Sequence, residues 1–144
     1  MDKSTSQKAL KVVSIIMIVF AICEIVAGIV IAATGGAIFG FGEVTGDFSK
    51  EVVFAGAMMA GIIFVIVGAV EGIIGFLGLR GANNPQKIKA FFILAVIGTI
   101  IAFVSGISNT VGGAGNTLMI DLTGVVLPLI GAILAYKIKK ENNL

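Results

Sequence analysis

Two glutamates are the residues of this chain with the chemistry to act, because each stands inside a long apolar run. Glu71 lies within Gly68-Ala-Val-Glu71-Gly72-Ile-Ile-Gly75-Phe-Leu-Gly78-Leu-Arg80, and Glu24 lies within the run from Val12 to Ala33. A carboxylate at membrane depth is costly and commonly marks an ion or proton route. Neither acid has a cation to pair with, since no Lys, Arg or His falls inside an apolar run. Counted along a helix, Glu24 is roughly 20 Å from Lys11 and Glu71 roughly 14 Å from Arg80. If the two helices pack antiparallel, the acids differ in depth by only about 6 Å. Two roles compete. One is a proton or cation site. The other is a protonated interhelical hydrogen bond to a carbonyl, to a hydroxyl such as Thr99 or Ser105, or to the other glutamate.

Other chemistry is excluded by what the chain lacks. It has no His and no Trp, and Cys23 is its one cysteine. Disulfide frameworks within the chain, Cys/His zinc sites and histidine catalysis therefore fall away, and no metal or cofactor is expected. Cys23 reads as a small packing residue in apolar surroundings. No nucleophile–base pair is present, so an enzyme is not expected. Nor is there a basic, aromatic-interleaved surface for nucleic acid.

Four apolar segments must position the glutamates. Of 144 residues, 58% are hydrophobic and 12% charged, against about 25% charged in a soluble domain. The expected fold is an all-α integral membrane four-helix bundle forming one domain over residues 1–144, with helices at about 12–33, 52–79, 90–107 and 118–136. The lysines before Val12 and the pair Ala32-Ala33 echo a signal peptide. The run is roughly twice a signal core and holds Glu24, so the first helix is expected to be retained. Residues 34–51 carry five glycines with Glu43, Asp47 and Glu51 and read as a loop, with Phe39, Phe41 and Phe48 at headgroup level. Arg80 to Lys89 is a polar turn in which Pro85 ends helical continuation. Residues 108–117 form a second glycine-rich loop. Asp121 follows near the outer interface as a solvated or capping acid.

Charge sets the orientation. Nine of the ten basic residues lie at the start, in the 80–89 turn or in the tail, and only Lys50 lies elsewhere. The positive-inside rule makes those regions and both termini cytoplasmic, with 34–51 and 108–117 outside a plasma membrane. Gln7-Lys8 and Gln86-Lys87 open the first and third helices alike. The ends of the second and fourth also match loosely, which hints at a duplicated two-helix hairpin.

Small residues recur at helical spacing in every segment. The principal seam positions are Gly28, Gly61, Gly68, Gly72, Gly75, Gly98, Gly124 and Gly131, with Pro128 as a kink site. In lipid the hydrophobic effect between helices is weak, so close backbone approach must hold them. Such seams serve a compact bundle, and any left over serve self-association or partner helices.

From Gly68 to Asn84-Pro85 the chain resembles the rotor subunits of ATP synthases, which have a glycine-rich helix, a cytoplasmic loop with Arg-Asn/Gln-Pro and a second helix. That family carries its ion-binding carboxylate after the loop, where this chain has no acid, so no site residue is transferred. Small multidrug exporters also have four helices and a glutamate where Glu24 sits, but their aromatic set is missing. With Gly-x-x-Gly-x-Leu-Arg80-Gly-Ala-Asn-Asn-Pro85-x-Lys-Ile, most of the chain looks like small four-helix membrane proteins of gut actinobacteria and related bacteria. That resemblance implies a topology and no activity. The leading expectation is a non-enzymatic membrane protein acting through helix packing, as a self-associating or accessory subunit in the bilayer. A proton- or cation-linked transporter or channel using Glu24 and Glu71 is the alternative, and a membrane-permeabilising factor the third class.

Overall fold

The computed structural model describes residues 4–35, 50–111 and 118–144, with side chains at all of these except 104–111 and 118–124. The described chain is all-helical: α1 (Thr5–Thr34), α2 (Lys50–Asn83), a 3-10 turn (Pro85–Lys87), α3 (Ile88–Val111) and α4 (Leu118–Glu141). The helices outrun the apolar segments because backbone hydrogen bonding continues into polar sequence once caps are available. Ser4 caps α1 with a reciprocal pair, its Oγ accepting from Gln7 N at 3.3 Å and its own N donating to Gln7 Oε1 at 2.9 Å. The tail closes α4 in the same spirit. Asn143 takes a left-handed φ of 55°, and Leu144 N donates to the Lys139 carbonyl at 3.0 Å, a Schellman closure.

The turn at Asn84 is tighter than the polar run from Arg80 to Lys89 implies. Its Oδ1 accepts from Gln86 N at 3.2 Å, and Pro85 starts the 3-10 turn with the φ it already has. At the far end, α3 continues to Val111, so residues 108–111 are helical and not loop. The rest of that loop, and the aromatic piece expected at Phe39, Phe41 and Phe48, lie outside the described residues.

Three helices are long and apolar enough to cross a membrane: α1, α2 and the stretch Pro85–Phe103. At 1.5 Å per residue, α1 is about 45 Å and α2 about 51 Å long, more than the ~30 Å of hydrocarbon. Large apolar side chains face outward along them, among them Ile22, Ile29, Ile63, Ile73 and Ile100, each more than half exposed. Water would penalise such surfaces, whereas lipid would not.

The chain divides into two compact units, Ile18–Ile73 and the pair of segments Met1–Met17 with Ile74–Leu144. Within Ile18–Ile73, α1 and α2 run antiparallel, since Gly35 meets Phe54, Gly28 meets Gly61, and Ala21 meets Gly68. In the second unit, parts of all four helices enclose a buried cluster of Leu10, Met17, Ile74, Ala82, Ile88, Phe91, Ala95, Ala132, Ala135 and Ile138. Phe91 is its centre. Its ring lies in a socket left by two missing side chains: a Cβ on Gly131 would stand 2.8 Å from Phe91 Cζ, and one on Gly78 2.9 Å from Cε2.

Candidate functional site

Within Ile18–Ile73 the glycine seam is what positions the glutamates. A Cβ on Gly28 would lie 2.6 Å from the Gly61 carbonyl oxygen, and one on Gly61 would lie 2.5 Å from the Gly28 carbonyl oxygen. The two backbones thus touch where both side chains are absent. Ala32 N would be only 2.6 Å from that added Gly61 Cβ, so the contact extends over a full turn. Toward the other end of the crossing, a Cβ on Gly68 would meet the Ala21 carbonyl at 2.8 Å and Glu24 Cβ at 3.1 Å. Glu24 therefore stands directly over Gly68. Glu71 is three residues further on α2, on the same face as Gly68 and about 4.5 Å along the axis. Ala21, one turn before Glu24, is 3.5 Å from a Cβ added to Gly72.

This geometry brings the two glutamates onto the α1–α2 seam of one helical hairpin, about a turn apart along it. Both are half-buried. Glu24 Oε2 is fully covered and has no hydrogen-bond partner among the described residues. Thr99 donates its hydroxyl to the Ala95 carbonyl at 2.7 Å on its own helix. That is the usual fate of a helical threonine in apolar surroundings, where the i−4 carbonyl is the nearest acceptor. The Ser105 side chain lies outside the described residues.

The remaining seam positions serve different contacts. Gly75 is buried, and Gly98 leaves ordinary van der Waals room to Ile74, 3.5 Å from its added Cβ. Gly131 belongs to the Phe91 socket, and Pro128 is buried within α4, where its ring nitrogen cannot donate to the residue-124 carbonyl. The surroundings of Gly124 and the Asp121 side chain lie outside the described residues. Cys23 is exposed on α1. Among the described residues no group of His, Cys, Asp or Glu could hold a metal ion.

Three features carry weight that sequence reasoning missed. Gly78, with Ser14 against it, continues the 68–72–75 row and helps seat Phe91; that spacing was the available signal. Ser14 is buried, and its hydroxyl has no partner among the described residues. Ser6 is buried and donates to Glu141 Oε1 at 2.8 Å, tying the start of α1 to the end of α4 across 135 residues. The Ser6 hydroxyl first, and the Ser4 hydroxyl next, hold the Glu141 carboxyl below the usual carboxylate range. Nothing local in the sequence announces that pair.

Set beside known proteins, the chain matches no family, no curated protein and no solved structure. Its reading therefore rests on the helices and their contacts.

Proposed function

We propose that this chain is an integral membrane protein of the plasma membrane that crosses the bilayer four times. In this reading both termini are cytoplasmic and residues 34–51 and 108–117 lie outside. It works through helix packing, as a self-associating or accessory subunit, and carries out no catalysis. The observation behind this reading is an apolar groove of ≈ 460 Å³ on one face of the hairpin, lined by Ile29, Ala32 and Ala33 of α1 and Met58, Ile62, Val65 and Ile66 of α2. Ala32 and Ala33 are the small residues of that lining, and small residues let another helix approach closely, which is how helices associate in lipid.

A second reading is favoured by the covered, unpartnered Glu24 Oε2 a turn from Glu71. Two half-buried acids without a cation are the composition of a proton or cation site, and on this reading the chain is a small transporter or channel. One reconstitution separates the two. The protein is placed in liposomes, proton and sodium flux are measured with Glu24→Gln and Glu71→Gln, and association is followed by energy transfer between labelled copies. Energy transfer without flux in the parent chain supports the packing role. Flux lost in both variants with association intact overturns it.

A further inference from the structure

The cytoplasmic end assigned above carries more than an orientation signal. In the unit formed by Met1–Met17 and Ile74–Leu144, the buried cluster contains one residue near the polar end of each helix: Leu10 of α1, Ala82 of α2, Ile88 of α3 and Ile138 of α4. Residues that flank these four stand at the same end of the unit. Eight basic residues do so, each within two positions of one of them: Lys8 and Lys11, Arg80, Lys87 and Lys89, and Lys137, Lys139 and Lys140. Two positions are about 3 Å of helical rise, so the eight cations gather at one end of this unit, close to the four buried residues. Seven are exposed. Lys139 is half-buried and holds its ammonium 5.6 Å from the centre of the Phe92 ring, at the edge of the apolar surface.

Among the described residues one acid stands at this end, Glu141, and its carboxylate already accepts from Ser6. The cluster is therefore strongly positive, with little internal neutralisation. Apolar helix surface begins immediately beside it, at Val12 on α1 and Ile93 on α3, both exposed. A cluster of cations bordering an apolar belt matches one kind of partner, a phosphate anion fixed at the edge of hydrocarbon. A soluble acidic protein or a nucleic acid would not need the apolar border.

We infer that this cluster binds the phosphodiester headgroups of anionic phospholipids, selecting them over zwitterionic lipids in the layer around the protein. The inference rests on the membrane reading above. Lysine and arginine stems lie along the apolar surface while their heads reach the phosphate level, and each cation at an anionic leaflet adds to the attraction. Screening by salt weakens the selection, because seven of the eight are exposed.

The full chain is reconstituted in phosphatidylcholine vesicles containing a trace of either spin-labelled phosphatidylglycerol or spin-labelled phosphatidylcholine, and the motionally restricted fraction of each probe is measured. The expected result is restriction of both probes, with phosphatidylglycerol favoured about fivefold or more, falling toward equality in molar salt. Lys8→Gln with Lys11→Gln and Arg80→Gln should lower the preference, whereas Lys50→Gln, outside the cluster of cations, should leave it intact. Equal restriction of both probes overturns the inference while leaving membrane insertion standing. No restriction of either probe overturns the membrane reading itself. Loss of the preference on adding soluble glycerol phosphate at matched phosphate concentration overturns the commitment to lipid.

Discussion

Hydrogen-bond supply decides what single residues do in this chain. Thr99 donates to a carbonyl of its own helix, while Ser14 and Glu24 each keep a covered oxygen without a partner among the described residues. Such atoms forfeit their hydration, which ordinarily costs about 1–3 kcal/mol, so they stay only where packing outweighs that cost. Ser6 shows the opposite case, a buried hydroxyl fully used by Glu141. Because hydrogen bonding lowers the folded-state pKa of Glu141, this contact stabilises the fold above the ordinary carboxylate range and is lost as pH falls through the lowered value. Ser6→Ala should therefore raise the Glu141 titration midpoint, read from its carboxyl carbon resonance. It should also lower thermal stability at neutral pH and make no difference once Glu141 is protonated. An unmoved midpoint would show that the contact is not maintained in the membrane.

Helix pairing is governed by where side chains are missing. Gly28 and Gly61 meet through backbone atoms, which cannot move aside as a flexible side chain can. Gly61→Ala should force α1 and α2 apart and cost about 1–3 kcal/mol, the range for overpacking a close contact. Gly56→Ala, five residues earlier on the same helix and opening onto free space, should be neutral or slightly stabilising, since alanine loses less backbone freedom in a helix. Unfolding of both variants by a denaturing detergent, compared with the parent chain, checks the contrast. Equal effects would mean that the crossing is not as close as these contacts require. Phe91 belongs to the same logic, since Gly78 and Gly131 give up the volume that its ring fills.

At the scale of the whole molecule, the arrangement of charge is the strongest constraint. Eight basic residues gathered at one end of their unit and three helices long and apolar enough to cross a membrane are what the proposed orientation rests on. In a Cys23→Ser background, Thr45→Cys should react with a membrane-impermeant thiol reagent added to intact cells. Asn143→Cys should react only after the membrane is opened. Labelling of Asn143→Cys in intact cells would reverse the topology and remove the cytoplasmic cluster of cations with it.

Much of this was legible in the sequence alone. Long apolar runs and scarce charge determine that the chain is helical and membrane-like, because a backbone in hydrocarbon must satisfy its hydrogen bonds internally. Helical periodicity also placed Gly28, Gly61 and Gly68 on seams, and simple rise put Glu24 and Glu71 within about 6 Å in depth. What periodicity lacks is rotation about the helix axis and the choice of neighbour. Only the tertiary structure sets Glu24 over Gly68, gives Phe91 its glycine socket, commits Thr99 to Ala95 and joins Ser6 to Glu141. Apolar side chains are nearly interchangeable as a pattern, so the register between two helices is decided by which surfaces fit, and fit exists only between partners already folded. The glutamate pair marks that boundary: two costly acids at similar depth are a property of the sequence, and the placing of Glu24 over Gly68, three residues from Glu71, is a property of the fold.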